Sequence, residues 1–361
     1  MNYEKLCISC FRENENEICR YCGYIEPYNR RKSLLPSRML LNERYIIGEV
    51  VNADKSSIEY KAWDTKEERL VEIQEYYPEE VAFRGENGLD VNVITEENCN
   101  VFRKNTASIM TGAKEMMEFS DFPCLVNVYD CFECNKTVYV VKEYLEGMLL
   151  SDFIGSYGGK LDVETAVSAV VPVLEGLSQL HKAGLVHRAI SPESIIVTAD
   201  NDIKTGNFRF LKEASPYKDE DTTVHFSSGY TPPEQYSAKS KQGAFSDIYS
   251  VGAVLYRMLS GKRPADALER TGQDKLIPPK NFNKSIPDYV SISIMKAMNM
   301  TPELRFKTAA DFKNALLGKK AVVDIDSELK AAKAESKKRA VIAAAATLAA
   351  AAGFVLYMLL S

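Results

Sequence analysis

The sequence predicts an α+β, two-lobed domain in which a small β-rich part precedes a larger helical part. Three observations carry that expectation. The first third of the central region reads as strands around one helix, and the remainder reads as helices. No internal repeat divides the stretch from about Arg44 to Leu317. Flanking it are a cluster of four cysteines near the N-terminus and an uncharged run at residues 340–360.

Composition sets the bounds. The 361 residues are 45% hydrophobic and 26% charged, with a net charge of −5. That is ordinary for a globular chain of this length, and the absence of a basic bias argues against nucleic acid. The opening "MNYEKLC" has neither the basic nor the apolar region of a secretory leader.

The first element is "CISCFRENENEICRYC", with Cys7, Cys10, Cys19 and Cys22 as two C-x2-C pairs. Two such pairs can surround one tetrahedral metal, and four thiolates suit zinc. Residues 1–26 are too few to bury a core, so a metal would supply the folding energy. Disulfides are the other use of such cysteines, but without an export signal the thiols stay reduced. The spacing therefore predicts a structural four-cysteine zinc ribbon, joined by a linker at 27–43 to the main domain at 44–317. "RENENEI" between the pairs is mixed to acidic, which favours a protein contact over nucleic acid.

Strands follow at "RYIIGEVVN", "SIEYKAW" and "RLVEIQEYY", a helix at "TASIMTGAKEMMEF" and a strand at "TVYVVKEY". Cys131 and Cys134 fall in a strand-turn-strand pattern with no second pair nearby, as packing residues. The helical part opens with Val163, Val167, Val170, Val171, Leu174, Leu177 and Leu180 at a period near 3.6. Residues 318–339 read as a charged juxtamembrane helix. Ala340 to Leu360 is long enough to cross a bilayer core. A soluble alanine-rich helix is the competing reading. Lys330, Lys333, Lys337, Lys338 and Arg339 precede it, so the bulk of the chain is expected in the cytoplasm, anchored by a single-pass helix.

Within residues 44–317, about three quarters of the chain, motifs accumulate in order. They are "VEIQEYYP" (71–78), "VVKEYLEG" (140–147), "HRAISPESI" (187–195), "IKTGNFR" (203–209), "GYTPPEQY" (229–236), "SDIYSVGAVLYRMLSGKRP" (246–264) and "PELRF" (302–306). This set resembles the bacterial Ser/Thr protein kinase family. It resembles, in turn, the third strand (V-A-I-K, then E-Y-F-P in many bacterial members), the hinge, the catalytic loop, the metal-binding motif, the end of the activation segment, the anchoring helix and the closing helix. The resemblance implies a protein kinase-like fold whose relatives use ATP and magnesium.

Position by position, the resemblance also implies a degenerate site. Phosphoryl transfer depends on positioning the nucleotide and neutralising charge. Aligned on Tyr60, the glycines of the phosphate loop correspond to Asn52, Asp54 and Ser57. The phosphate-gripping lysine is Gln74, and its glutamate partner falls at Gly112, with Glu115 a turn away. The catalytic base is Ala189, and the metal ligands are Ser194 and Asn207; Arg209 replaces a glycine. Lys55 or Lys61 could stand in for the lysine, as some kinases relocate it. What matches is architectural: Glu234 with Arg305 as a buried ion pair, Asp247 as anchor of the loop backbone, and His187 and Arg188 as scaffold.

Two functions are expected from this. The first is a membrane-anchored pseudokinase that signals or scaffolds by binding proteins, with active kinases or envelope proteins as candidate partners and ATP/Mg binding weak or absent. The alternative is a weakly active or atypical Ser/Thr protein kinase, or another ATP-using transferase, with a relocated lysine. A metal-dependent enzyme needs carboxylates converging in the cleft, and Asp200 and Asp202 are expected in a turn away from it.

Overall fold

Period-two alternation of buried and outward residues builds the first lobe. The computed structural model describes residues 3–28, 30–120, 122–206, 226–237 and 239–322. An antiparallel sheet forms from β1 (Leu40–Leu41), β2 (Tyr45–Ala53), β3 (Ser57–Asp64), β4 (Arg69–Tyr76), β7 (Val128–Cys134) and β8 (Thr137–Glu143) in the order β1-β2-β3-β4-β8-β7. Between β4 and β7 the chain adds a small hairpin, β5 (Ala82–Arg84) with β6 (Val91–Val93), and the helix α1 (Glu96–Met117). The strand-turn-strand expected around Cys131 and Cys134 is the β7–β8 hairpin.

One face of this sheet carries Ile58, Tyr60 and Ala62 of β3, Val71 and Ile73 of β4, and Tyr139 and Val141 of β8, all in one apolar cluster. Glu75 lies on the same face at 0% exposure. It is tolerated there because Arg84 approaches to 2.6 Å, while Tyr60 and Tyr139 donate to its oxygens at 3.0 and 2.8 Å. Arg84 also donates to Ser33 O, and Leu35 N donates to the Tyr60 hydroxyl. Residues 27–43, expected as a linker, are therefore built into the lobe: Leu35 and Leu41 are fully buried, and β1 extends the sheet. Leucines at 35 and 41 can contribute more by covering this face than by staying in solvent.

The second lobe starts with β9 (Gly147–Leu149), α2 (Leu150–Ser156) and α3 (Val163–Lys182), followed by β10 (Ile195–Thr198) and β11 (Ile203–Thr205), which form a three-stranded sheet in the order β11-β10-β9. The helices α4 (Ala244–Ser260), α5 (Pro279–Phe282), α6 (Asp288–Ala297) and α7 (Ala309–Leu316) complete it. The face of α3 is rotated slightly from expectation. Ala166, Ala169, Val170, Val173, Leu174, Leu177 and Leu180 are buried, while Val163, Val167 and Val171 sit at its margin. The alanines let α4 and α7 approach this face closely. Helix α4 is apolar almost all round and buried from Ser246 to Met258 except at Arg257. It ends at Gly261, whose φ of 73° suits glycine at a helix terminus.

The helical-lobe core also takes in Val128 and Val140 from the first sheet, so the sheet face opposite the tyrosines turns toward the second lobe. The segments expected as a juxtamembrane helix and a membrane span lie almost wholly at 323–361, outside the described residues. Among the described residues, no helix is long and apolar enough to cross a membrane.

Glu234 and Arg305 meet where the last helices close on the loop before α4. Arg305 reaches Glu234 at 2.7 and 3.0 Å and also donates to Asn299 O and Phe245 O, while Ser246 donates to the same carboxylate. Every strong donor there has an acceptor, which is what makes a buried charge tolerable. Glu234→Ala and Arg305→Ala should each lower unfolding free energy by about 3–5 kcal/mol. The double variant should lose far less than the sum, measured by denaturant unfolding.

Candidate functional site: the interlobe cleft and the four-cysteine knuckles

Residues 6–13 and 18–25 are two copies of one local structure. In the first, Leu6 bridges Glu13, Cys7 N donates to Arg12 O and Phe11 N donates to Cys7 O; in the second, Ile18 bridges Ile25, Cys19 N donates to Tyr24 O and Gly23 N donates to Cys19 O. Each turn aims two backbone N–H groups at its first sulfur: those of Ser9 and Cys10 at Cys7, and those of Tyr21 and Cys22 at Cys19. Burial works against the Cys19 thiolate, yet those donors and the neighbouring thiols bring its pKa down to about 6. The four sulfurs lie within 4.8 Å of one another, with Cys7–Cys22 at 3.7 Å and Cys10–Cys19 at 3.6 Å. A tetrahedral thiolate site with metal–sulfur bonds of about 2.3 Å separates its sulfurs by about 3.8 Å. The donor set fits a metal such as zinc.

The repeat breaks at one place, and the break is informative. Gly23 has φ 73°, comfortable for glycine; its counterpart is Phe11, at φ 56°. A bulky residue in the left-handed region carries strain of roughly 1–2 kcal/mol. Its ring stacks on Trp63 of β3, with centroids 6.2 Å apart. The same ring lies against Gly48 of β2, where any Cβ would overlap it and Ile8 O. Glu49 N donates to Ile8 O, and Arg38 donates to Leu6 O and pairs with Glu26. The knuckles are thus docked on β2 and β3 rather than tethered beside them.

The catalytic-loop residues are held from below. Asp247, at 0% exposure, accepts from His187 N at 2.9 Å and Arg188 N at 2.8 Å and pairs with His181 Nε2 at 2.8 Å. Burial alone would raise its carboxyl, but these donors hold it below the ordinary carboxylate range. Burial draws His187 down to about 4, so its imidazole is neutral near pH 7. Arg188 takes φ 65°, with its carbonyl bound by Gln235 and its Nε donating to Gln242. The loop therefore keeps a strained, over-determined shape around Ala189, whose methyl can accept no proton. Ser194 is buried and spends its hydroxyl on Ser191, as donor to its carbonyl and acceptor from its N–H. Asn207 and Arg209 lie outside the described residues.

The roof of the cleft is the sheet face of Ser57, Glu59 and Lys61 (β3), Glu72 and Gln74 (β4), and Val140 and Lys142 (β8), as alternation requires. Gln74 donates to Ser57 Oγ at 3.3 Å. In the loop above, the Asp54 carboxylate accepts from Ser56 N and Ser57 N, both at 2.7 Å, so an internal anion already engages those amides. Lys55 turns to Glu80. Lys61 stays on the cleft row, 3.8 Å from Glu49 and over the Tyr144 ring. Gly112 is buried on α1 and Glu115 lies a turn on, close enough to act electrostatically on Arg188. Asp200 and Asp202 sit at the exposed β10–β11 turn, away from the cleft as expected.

Sequence reasoning missed the strongest feature of this roof. Lys142 Nζ lies 2.8 Å from Glu59 and 2.7 Å from Glu72, in a largely buried cluster, and Asn52 donates to the second Glu59 oxygen. Burial opposes the Lys142 charge, but the two carboxylates raise its pKa above the usual lysine value; burial pushes Glu72 up, aided by Glu59. A signal was present. In the pattern G-x-G-x-x-G-x-V the valine slot is Glu59, and in V-A-I-K the alanine slot is Glu72.

Trp63 is the only tryptophan of the chain, and so reports on the docked knuckles. Removing bound metal from the four cysteines with a chelator under reducing conditions should free Phe11 from it and shift its emission to the red. Phe11→Ala should give the red shift before chelation and little afterwards, read by fluorescence.

The comparisons with known proteins agree with this geometry. The protein kinase domain family matches residues 94–319. A probable serine/threonine-protein kinase of Clostridium perfringens is 30% identical over 284 residues, 75% of this chain and 38% of the relative. Serine/threonine-protein kinase PknB of Mycobacterium tuberculosis is 28% identical over 209 residues, 54% of this chain and 33% of the relative. The chain thus spans only about a third to two fifths of these relatives' length. Among solved structures, the PpkA-294 apo form has a TM-score of 0.70 at 24% identity, covering 79% of this chain and 99% of that one. The PknI kinase domain of Mycobacterium tuberculosis has 0.58 at 16%, covering 80% and 100%. With its two lobes, its Asp247-anchored loop and its Glu234–Arg305 pair, this chain belongs to the protein kinase domain family.

Proposed function

We propose that the chain is a non-catalytic member of the family, a pseudokinase that works by binding proteins while held at a membrane. One observation carries the reading: the catalytic loop keeps its anchored shape around Arg188 and Asp247 while Ala189 fills the slot of the proton acceptor. Neutral Gln74 at the lysine slot supports it, as does Ser194, whose hydroxyl is already satisfied. Base, lysine and metal ligands act as a unit, so losing them together removes transfer. The folded surfaces remain available to protein partners, with active kinases or envelope proteins as candidates. The four thiolates hold a structural zinc in this reading. The anchor is residues 340–360, behind the basic cluster ending at Arg339, which keeps the bulk of the chain in the cytoplasm.

The second reading is a weak or atypical kinase. Lys61, on the cleft-facing row of β3 and over the hinge residue Tyr144, is the residue that favours it.

Radiolabelled phosphate transfer by wild type and Ala189→Asp separates the two. Neither protein should transfer phosphate, and magnesium-ATP should not raise the melting temperature. Transfer by either, lost again in Lys61→Met, would establish the second reading. The membrane part stands or falls separately: the full chain should stay with membranes in alkaline carbonate, and its release would remove that part.

A further inference from the structure

We propose that Glu59, Lys142 and Glu72 form a built-in occupant of the space where relatives take a purine base, so that the cleft is closed to adenine by the chain's own side chains. The inference deepens the non-catalytic reading and rests on it for the identity of the cleft. Lys142 immediately precedes the hinge segment "EYLEG", and it is paired across the sheet with Glu72. Glu59 stands one strand further over, opposite Gln74. All three share a face with Val140, whose side chain joins the helical-lobe core, so they project between the lobes.

A planar base needs an apolar wall with few polar groups. The family pattern supplies one with valine and alanine at the two strand positions. Here both are carboxylates, held by an ammonium at 2.8 and 2.7 Å. Inserting a base would have to part these ions without offering any of them a charged partner. Next to Lys142 in the chain, the Glu143 carboxylate accepts from Lys204 and from Asn127. The three ions are interdependent. Removing Lys142 alone strands two carboxylates, whereas replacing all three by apolar residues leaves no charge unpaired. A single reversal should therefore unfold or loosen the lobe, and the triple reversal should not.

The test is calorimetric titration of the full chain with adenosine, which needs neither the phosphate loop nor a metal. Wild type should give no binding up to about 1 mM. Glu59→Val/Glu72→Ala/Lys142→Met should bind at least about tenfold more tightly, with a melting temperature above that of Lys142→Met. If the triple variant fails to fold, Glu59→Val/Glu72→Gln/Lys142→Met serves, because an amide at 72 keeps the side chain's size and strands no charge. Submillimolar binding by wild type, or a folded reversal variant with no gain, would overturn the proposal. Adenosine binding by wild type without phosphate transfer would sink the plug alone. Phosphate transfer would sink the non-catalytic reading.

Discussion

Asp247 is the constraint on which the second lobe depends. It belongs to α4, a helix buried on nearly every side, and its two oxygens take the backbone N–H groups of His187 and Arg188. A carboxylate at 0% exposure is costly unless it is hydrogen-bonded, and here His181 adds a third partner. The consequence runs outward. Arg188 is forced into a left-handed conformation, Gln235 and Gln242 grip it, and the loop of Glu234 is thereby brought to Arg305. The catalytic loop keeps its shape for reasons that have nothing to do with a proton acceptor.

That separation divides the residues that hold the scaffold from those that face the cleft. Groups that stabilise the scaffold are buried charges with full sets of partners, and replacing one leaves others unpaired. Ala189 and Gln74 carry no buried charge, so neither belongs to that set of obligatory partners. Toward the cleft the chain supplies internal contacts for its own polar groups. Asp54 takes the loop amides, Gln74 bonds Ser57, and Lys142 lies between two glutamates. These polar groups are satisfied from within the lobe.

The cysteine knuckles belong to the same economy of contacts. Strain at Phe11, absent from its counterpart Gly23, is offset by stacking on Trp63 and by the backbone hydrogen bond from Glu49 N to Ile8 O. Glu49 in turn approaches Lys61, which lies over Tyr144 of the hinge. The four-cysteine cluster is therefore mechanically continuous with the roof of the cleft. Phe11 alone among the residues of the two knuckles carries this contact by an unfavourable backbone angle, and Gly48 is the only residue type that leaves room for it.

Local chemistry was legible in the sequence wherever a short pattern implied its own geometry. C-x2-C spacing brings two sulfurs into one turn, apolar period marks α3, and motif order along the chain implies two lobes. The same holds for Asp247, Glu234 and Arg305, because each sits inside a motif. What the sequence could not determine is which residues meet across strands. Glu59, Glu72 and Lys142 are far apart in the chain, and each alone reads as a solvated charge on a strand; only the register β3–β4–β8 places them on one buried face. Likewise residues 27–43 read as a linker because they fall between the cysteine pairs and the first strand, while the burial of Leu35 and Leu41 follows from an apolar sheet face that needed covering. Pairing of residues close in sequence follows from local geometry, but burial of a distant charge is decided by register and by whatever else the fold brings to that face.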